Sequence, residues 1–336
     1  MLPMISIICP TYNEEKYINE CILSILESDF PHQDMEVLFI DGMSSDSTRE
    51  IILKYTAKHS FIKLIDNHEK FVPFALNKGI IAAKGDIIIR IDAHAKYETK
   101  YFSQLVKYLN LLNADNVGGI CETVPVNNSV VANAIASVLN SSFGVGNSYF
   151  RIGVKDIKKV DTVPFGCFRK EIFKKYGMFD EELIRNQDDE LNARIIRNGG
   201  TIYLIPEIKI TYFSRDTINK VKQMFYQYGL FKPLVNKKIG KPATIRQFFP
   251  LFFVLGLMIG FPLSIFFESI RIIYIITLCF YIILSIFFST KDSKNIKQIF
   301  IQSWIFLIIH LSYGYGYLRG ILNLIFKQNF SVNTNR

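Results

Sequence analysis

Tryptophan is all but absent from this chain, whose 336 residues include only Trp304. Cysteine is sparse and scattered: Cys9, Cys21, Cys121, Cys167 and Cys279 are odd in number and form no Cys-x-x-Cys pair. That pattern suggests neither a disulfide framework nor a zinc site, and reduced thiols are expected. No basic stretch precedes the first apolar residues, Met-Leu-Pro-Met-Ile-Ser-Ile-Ile, so no cleaved signal peptide is expected. Acidic residues number 30 against 39 Lys and Arg, a formal charge of +9 at pH 7. Such a charge suits nucleic acid, an anionic lipid surface or a phosphorylated substrate. No RNA- or DNA-binding signature accompanies it, so nucleic acid is not expected as a partner.

Charge is also missing locally. The chain is 49% hydrophobic, high for a wholly soluble protein, and the excess collects after about Phe248. Residues 249–267 and 272–289 are each near the ~20 residues that cross the hydrocarbon of a bilayer. A third run, 299–317, carries Gln302, Trp304 and His310 and is weaker, with His310 expected to be packed or interfacial rather than a ligand. Lys237, Lys238, Lys241 and Arg246 precede the first run; Lys291, Lys294 and Lys297 follow the second. Both clusters are then cytoplasmic by the positive-inside rule. A third crossing would carry Arg319 and Lys327 outside, whereas an interfacial or re-entrant helix would not, so the side of the C-terminus stays open. Residues 217–232 alternate basic and aromatic groups, the pattern of a helix lying on a membrane surface. The expected division is a cytoplasmic domain over 1–232, a basic linker over 233–248, and a membrane region over 249–325 with two or three helices.

Strand and helix alternate through the first part. An apolar run from Met4 to Cys9 ends in Pro10-Thr-Tyr-Asn-Glu-Glu15, followed by apolar residues at helical spacing. The Asn and Glu residues suit a helix start, whose amides can receive anions. Glu36-Val-Leu-Phe-Ile-Asp41, then Gly42-Met-Ser-Ser-Asp-Ser-Thr48 and a helix, repeat the unit. Such repetition predicts a doubly wound, mostly parallel α/β sheet. A third strand is expected over 62–65. A helix then leads through Gly85, read as its terminator, into Asp86-Ile-Ile-Ile-Arg-Ile-Asp-Ala-His94. That apolar strand stops at a carboxylate, a small residue and an imidazole, beyond the strand ends where open sheets hold ligands. Asp41 and Asp92 are thereby expected on neighbouring tips, able to bridge a ligand with a base, a ribose and phosphates.

Residues 127–160 are rich in Asn, Ser, Gly and Val and read as a short helix with loops of the kind that contact acceptors. Gln187-Asp-Asp-Glu-Leu-Asn-Ala-Arg194 opens a helix that Gly199 ends. Three adjacent acids exceed what complementing a helix dipole needs. Their mutual repulsion favours one as a proton acceptor.

Taken together and in this order, Pro10 to Glu15, Ile40 to Thr48, Gly85-Asp to Asp92-Ala-His94, and Gln187 to Arg194 resemble the inverting glycosyltransferases of family 2, over roughly residues 4–230. The Asp-Ala-His variant and the apolar runs look most like the succinoglycan-type glucosyltransferases of bacterial exopolysaccharide assembly. The resemblance implies the nucleotide-diphosphosugar transferase fold and a UDP-sugar donor held by Pro10, Thr11, Tyr12, Glu14, Asp41, Ser44 and Asp92. It implies Asp188 as general base, with Asp189 its competitor, and Gln187 and Arg194 beside the diphosphate or supporting the helix. Asp92 and His94 take the place of the family's Asp-x-Asp, so His94 replaces a carboxylate that contacts a divalent metal. Either His94 ligates Mg2+ or Mn2+, with nitrogen favouring manganese, or it contacts the diphosphate and Asp92 carries the ion.

The Gln-x-x-Arg-Trp motif of processive synthases is missing. The implied reaction is therefore transfer of a single hexose, glucose foremost, onto a polyprenyl-diphosphate-linked oligosaccharide at the cytoplasmic face of the inner membrane. A polyprenyl-phosphate sugar synthase is the alternative enzyme. A non-catalytic membrane scaffold that senses nucleotide sugars is the alternative from another class.

Overall fold

Residues 3–242 and 244–330 are described by a computed structural model. Nine strands form one sheet: β1 (Ile5–Thr11), β2 (Met35–Asp41), β3 (Ile62–Asp66), β4 (Ile87–Arg90), β5 (Ala95–Tyr97), β6 (Asn116–Val124), β7 (Lys158–Lys159), β8 (Cys167–Arg169) and β9 (Ile202–Phe213). Their order is β3-β2-β1-β4-β8-β6-β9-β5, with β7 on β9. The first four are parallel and carry the expected alternation of strand and helix. Beyond β4 the sheet turns antiparallel through β8, which pairs with both β4 and β6. The short strands β5, β7 and β8 have too few residues to show any alternation and were not legible in the sequence.

Register places the strand ends together. Thr11 pairs with Asp41, and Asp41 with Asp66, so three polar residues align along one edge of the parallel part. Buried Ile, Val, Leu and Phe fill β1, β2 and β4, as parallel strands covered on both faces require. Gly85 does not end the helix Val72–Ala82, whose last residue is followed by an extended Ala83. A Cβ on Gly85 would lie 2.7 Å from the carbonyl oxygen of Met4, so glycine is needed there for the close approach to β1.

The chain divides into two compact units. One holds the residues up to Glu122 together with Gly153–Tyr212; the other holds Thr123–Ile152 and the residues from Phe213 onward. The first thus stops short of 232, and the segment read as acceptor loops contributes largely to the second. There it forms helices Val130–Asn140, Ser142–Val145 and Tyr149–Ile152.

The second unit also contains the helices Ile218–Ile239, Phe248–Phe266, Glu268–Asp292 and Ile296–Ile325. The last three are long and apolar enough to cross a membrane, the third being the least apolar and the most covered by protein. The helix Ile218–Ile239 runs past 232, and its apolar face is not left open: Val221, Met224 and Phe225 share a core with Ile305, Phe306 and Ile309. Glycines permit the contact, since a Cβ on Gly229 would lie 2.1 Å from the carbonyl oxygen of Tyr313, and one on Gly316 2.2 Å from that of Tyr226. His310 is packed, with Nε2 2.9 Å from the Phe143 carbonyl oxygen and Nδ1 2.8 Å from the Tyr281 hydroxyl.

Candidate active site

Two loops at the tips of β1 and β2 are stapled together. The Asn13 amide donates to Ser44 Oγ at 2.9 Å, and Asn13 Oδ1 accepts from the Ser45 amide at 2.9 Å. The Glu14 amide donates to Thr48 Oγ1 at 2.7 Å. These residues therefore join loop to loop rather than capping the helix Ile18–Leu26, which has no side-chain cap. Tyr12 lies beside Gly42, where a Cβ would meet its ring at 3.2 Å. Thr11 accepts the Gly42 amide on its carbonyl at 2.8 Å, and Pro10 precedes it in β1.

Asp41 is fully buried. One oxygen accepts from Ser44 Oγ at 2.6 Å; the other accepts from the Ser44 amide at 2.9 Å and from Arg49 Nη1 at 2.7 Å. Arg49 also pairs with Asp66 at 2.8 Å. Hydrogen bonds from the guanidinium to Asp41 and Asp66 raise its already high pKa. Arg49 and Asp66 are partly exposed at this sheet edge, whereas the Asp41 side chain beneath them is buried. Neither was singled out in the sequence; the signal was an arginine one residue beyond the Ser-Asp-Ser-Thr run.

Asp92 is fixed through its backbone. Its amide donates to the Tyr97 hydroxyl at 2.8 Å, and its carbonyl accepts from the same hydroxyl at 3.0 Å. Ala93 between it and His94 is buried. His94 Nδ1 faces Glu14 Oε1 at 3.3 Å, while Nε2 faces the Tyr212 hydroxyl at 3.2 Å and Asp92 Oδ2 at 3.9 Å. A carboxylate on Nδ1 favours the tautomer whose proton sits there and whose Nε2 carries the lone pair, the form that binds metals. Asp92 Oδ2 and His94 Nε2 thus lie near each other, with the Tyr212 hydroxyl against the same nitrogen. Among the described residues no three His, Cys, Asp or Glu side chains converge as a complete metal site.

Asp188 lies in the first turn of the helix Gln187–Arg197, after Asn186 in a left-handed conformation. Arg90, at the end of β4, donates to Asp188 Oδ1 across 98 positions of sequence. Burial pushes the Asp188 carboxyl above its ordinary pKa and Arg90 opposes this, while the like charges of Asp189 and Asp92 add to it. Around the pair lie Phe165, Gly166 and Asn192. Gln187 is buried beside Asp188. Arg194 is engaged within the scaffold: it holds Glu190 at 2.5 Å and the carbonyls of Tyr176 and Met178 at 2.5 and 2.8 Å. Asn192 anchors the helix by accepting from Asn116 at 2.9 Å and donating to Thr162 at 2.8 Å.

The family model "Glycosyl transferase family 2" matches residues 6–177. A protein of Methanococcus voltae, dolichyl N-acetyl-alpha-D-glucosaminyl phosphate 3-beta-D-2,3-diacetamido-2,3-dideoxy-beta-D-glucuronosyltransferase, is 30% identical over 96% of this chain and 99% of its own length. The chain belongs to glycosyl transferase family 2. A further member similar to this glycosyltransferase is the succinoglycan biosynthesis protein ExoA of Rhizobium meliloti (strain 1021), 28% identical over 73% of this chain and 74% of its own.

Solved structures agree in fold. The mannosyltransferase PcManGT from Pyrobaculum calidifontis, in complex with GDP-Man and Mn2+, matches with a TM-score of 0.60 at 16% identity over 98% of this chain and 89% of its own. S. aureus TarS 1-349 in complex with UDP-GlcNAc matches with a TM-score of 0.53 at 17% identity over 98% and 93%. The mixed sheet and its helices are accordingly the nucleotide-sugar transferase fold.

Proposed function

We propose that this glycosyltransferase is membrane-anchored and inverting. It would move a hexose, glucose foremost, from a UDP-sugar to a saccharide carried on a polyprenyl-type lipid, in assembly of an exopolysaccharide or capsule. The observation that carries this reading is the Arg90 bridge between Asp188 and Asp92, which joins a carboxylate at a helix start to the tip of the parallel sheet. Asp188 is about one-third exposed, so it can meet an acceptor while staying tethered. In the proposed reaction Asp188 takes the proton of the acceptor hydroxyl as that oxygen attacks the anomeric carbon opposite the diphosphate. One displacement inverts the centre.

Asp92 and His94 would hold a divalent ion, whose contribution is to neutralise charge on the departing diphosphate. Arg49 and Asp66 would meet the nucleoside, with Asp41 and Ser44 holding Arg49 in place and Pro10, Thr11, Tyr12 and Glu14 forming the wall of the cradle. Arg194 and Gln187 would act by supporting the base helix.

The relative from Methanococcus voltae is named for a lipid-carried sugar acceptor, which favours a saccharide over a bare lipid phosphate. The linkage is a diphosphate on the succinoglycan-type resemblance and a monophosphate on that relative. A bare phosphate acceptor would need little proton removal, so a polyprenyl-phosphate sugar synthase fits a carboxylate of raised pKa less well. The anchor raises the effective concentration of an acceptor confined to the bilayer. Radiolabelled nucleotide sugars, supplied to membranes with lipid extract and either Mg2+ or Mn2+, test the donor and acceptor together. Full transfer by a folded Asp188→Asn variant would overturn the base assignment.

For the membrane region we propose two spans, Phe248–Phe266 and Glu268–Asp292, forming a hairpin, with Ile296–Ile325 lying across its basic end. Three contacts support this. Gly314 lies against Pro250 at the start of the first span, Ser303 is 3.2 Å from Ser289 near the end of the second, and the core shared with Val130–Asn140 and Ile218–Ile239 surrounds 305–309. Arg319 and Lys327 then stay on the same side as Lys237, Lys238 and Lys291, as the positive-inside rule asks.

A further inference from the structure

Strand β4 reads Ile-Ile-Ile-Arg, and all four residues are buried. A guanidinium enclosed in such a strand is costly unless acids meet it. Two do. Nη1 donates to Asp188 Oδ1, Nη2 lies 3.7 Å from Asp92 Oδ1, and only 10% of the side chain is exposed. The rest of the residue is held by packing: its amide donates to the Gly166 carbonyl at 3.0 Å, and the guanidinium lies 5.8 Å from the centre of the Phe165 ring. Nε is buried without a hydrogen-bond partner among the described residues, so the two carboxylates alone receive the fork. A planar guanidinium can address two acids at once, whereas an ammonium is a single point of charge.

We propose that Arg90 is the positioning residue of this enzyme: it holds Asp188 level with Asp92, so that the acceptor hydroxyl and the departing diphosphate meet at one sheet end. This rests on the reading of Asp188 as base. Geometry makes the coupling specific. Asp188 belongs to a helix anchored through Asn192 to β6, whereas Asp92 is pinned by Tyr97, and the Arg90 fork reaches the side chains of both acids. Removing the fork separates aim from binding: the donor still finds Arg49, Asp66 and Asp92, but the base is no longer directed at the acceptor. It also removes the cation facing Asp188, leaving Asp189 and Asp92 as the charges around it.

The test compares Arg90→Gln, Arg90→Lys, Asp188→Asn and the double variant Arg90→Gln/Asp188→Asn in membranes, with thermal melting as a fold control. Arg90→Gln is expected to lower kcat about 100-fold, as misplacement of a catalytic group does, with the donor KM nearly unchanged. Its acid limb is expected to move to higher pH. Arg90→Lys is expected to return the acid limb while recovering only part of kcat. Asp188→Asn is expected to cost far less in the Arg90→Gln background than alone, because residues acting as a unit are not additive. Additive losses with an unmoved acid limb and a normal melt would overturn the proposal. If Arg90→Gln does not fold, Arg90→Lys decides, and full kcat in that variant overturns it. Full activity in Asp188→Asn alone would instead sink the base assignment on which this inference stands.

Discussion

Asp41, fully buried at the tip of β2, holds the guanidinium of Arg49 at 2.7 Å. The pair makes a strand-end acid the support of a partly exposed cation, which also reaches Asp66 in the next strand. Arg49→Ala is therefore expected to raise the KM for donor while leaving kcat at saturation nearly intact. It should also lower stability by about 1–3 kcal/mol, because a charged hydrogen-bond partner of a buried carboxylate is lost. Steady-state kinetics and thermal melting check both parts. An unchanged donor KM would remove Arg49 from the nucleotide cradle.

Asp188 carries a pKa above the ordinary carboxylate value, with burial the largest cause. A base works in its ionised form, so transfer should fall as pH drops through this raised pKa, at a higher pH than the ~4 of a free aspartate. Rates of Asp189→Asn should keep this profile, whereas those of Asp188→Asn should lose the acid limb along with most of the activity. A pH profile measured at saturating donor distinguishes the two acids. Loss of the limb in Asp189→Asn would reassign the base.

Glu14 faces His94 Nδ1 at 3.3 Å, and in the proposed site this leaves Nε2 to meet the divalent ion beside Asp92. Glu14→Gln is expected to raise the Mn2+ concentration needed for half-activation about 10-fold, the usual consequence of losing a partner of a ligating histidine. His94→Ala should raise it further and narrow the preference for manganese over magnesium. Metal titrations of activity read both effects. A raised donor KM with an unchanged metal curve would instead put His94 on the diphosphate.

Glu36 supplies a stability prediction away from the site. Burial alone would raise its pKa, but the Lys84 amide, the Ser6 hydroxyl and the Lys63 ammonium outweigh it and hold the carboxyl below its ordinary value. The sign follows: a depressed folded pKa gives stability that is present above the unfolded pKa of about 4.3 and is lost as pH falls through the folded value. Glu36→Gln should melt lower than wild type at neutral pH, and the difference should shrink below pH ~4. Melting curves across that range suffice, and a pH-independent difference would show that packing rather than charge is responsible.

The arrangement of the third apolar helix predicts that its end stays on the side of the basic clusters. A single cysteine placed at Lys327, in a chain whose exposed Cys279 has been replaced, should resist membrane-impermeant maleimide in intact cells and react after lysis. Labelling in intact cells would mean that Ile296–Ile325 crosses the bilayer.

Much of this protein was determined by the sequence alone. Apolar strands leading to Asp41 and toward Asp92, alternating with helical spacing, specify a parallel sheet, although the strand tips expected to be neighbours have β1 between them and the strand before Asp92 ends at Arg90. Long uncharged runs likewise specify helices long and apolar enough to cross a membrane. What only the tertiary structure decided depends on partners distant in sequence. Arg90 looked like one charge in a strand until a helix 98 positions away delivered Asp188 to it. Asp41 read as a bare strand-tip acid, and only the fold brings Arg49 and Ser44 onto its oxygens. The segment 217–232 looked like a helix facing lipid until Ile296–Ile325 covered its apolar face. In each case local pattern records which residues are charged or apolar, but the fold chooses which charge or face meets which, since pairing depends on three-dimensional proximity that no local spacing encodes.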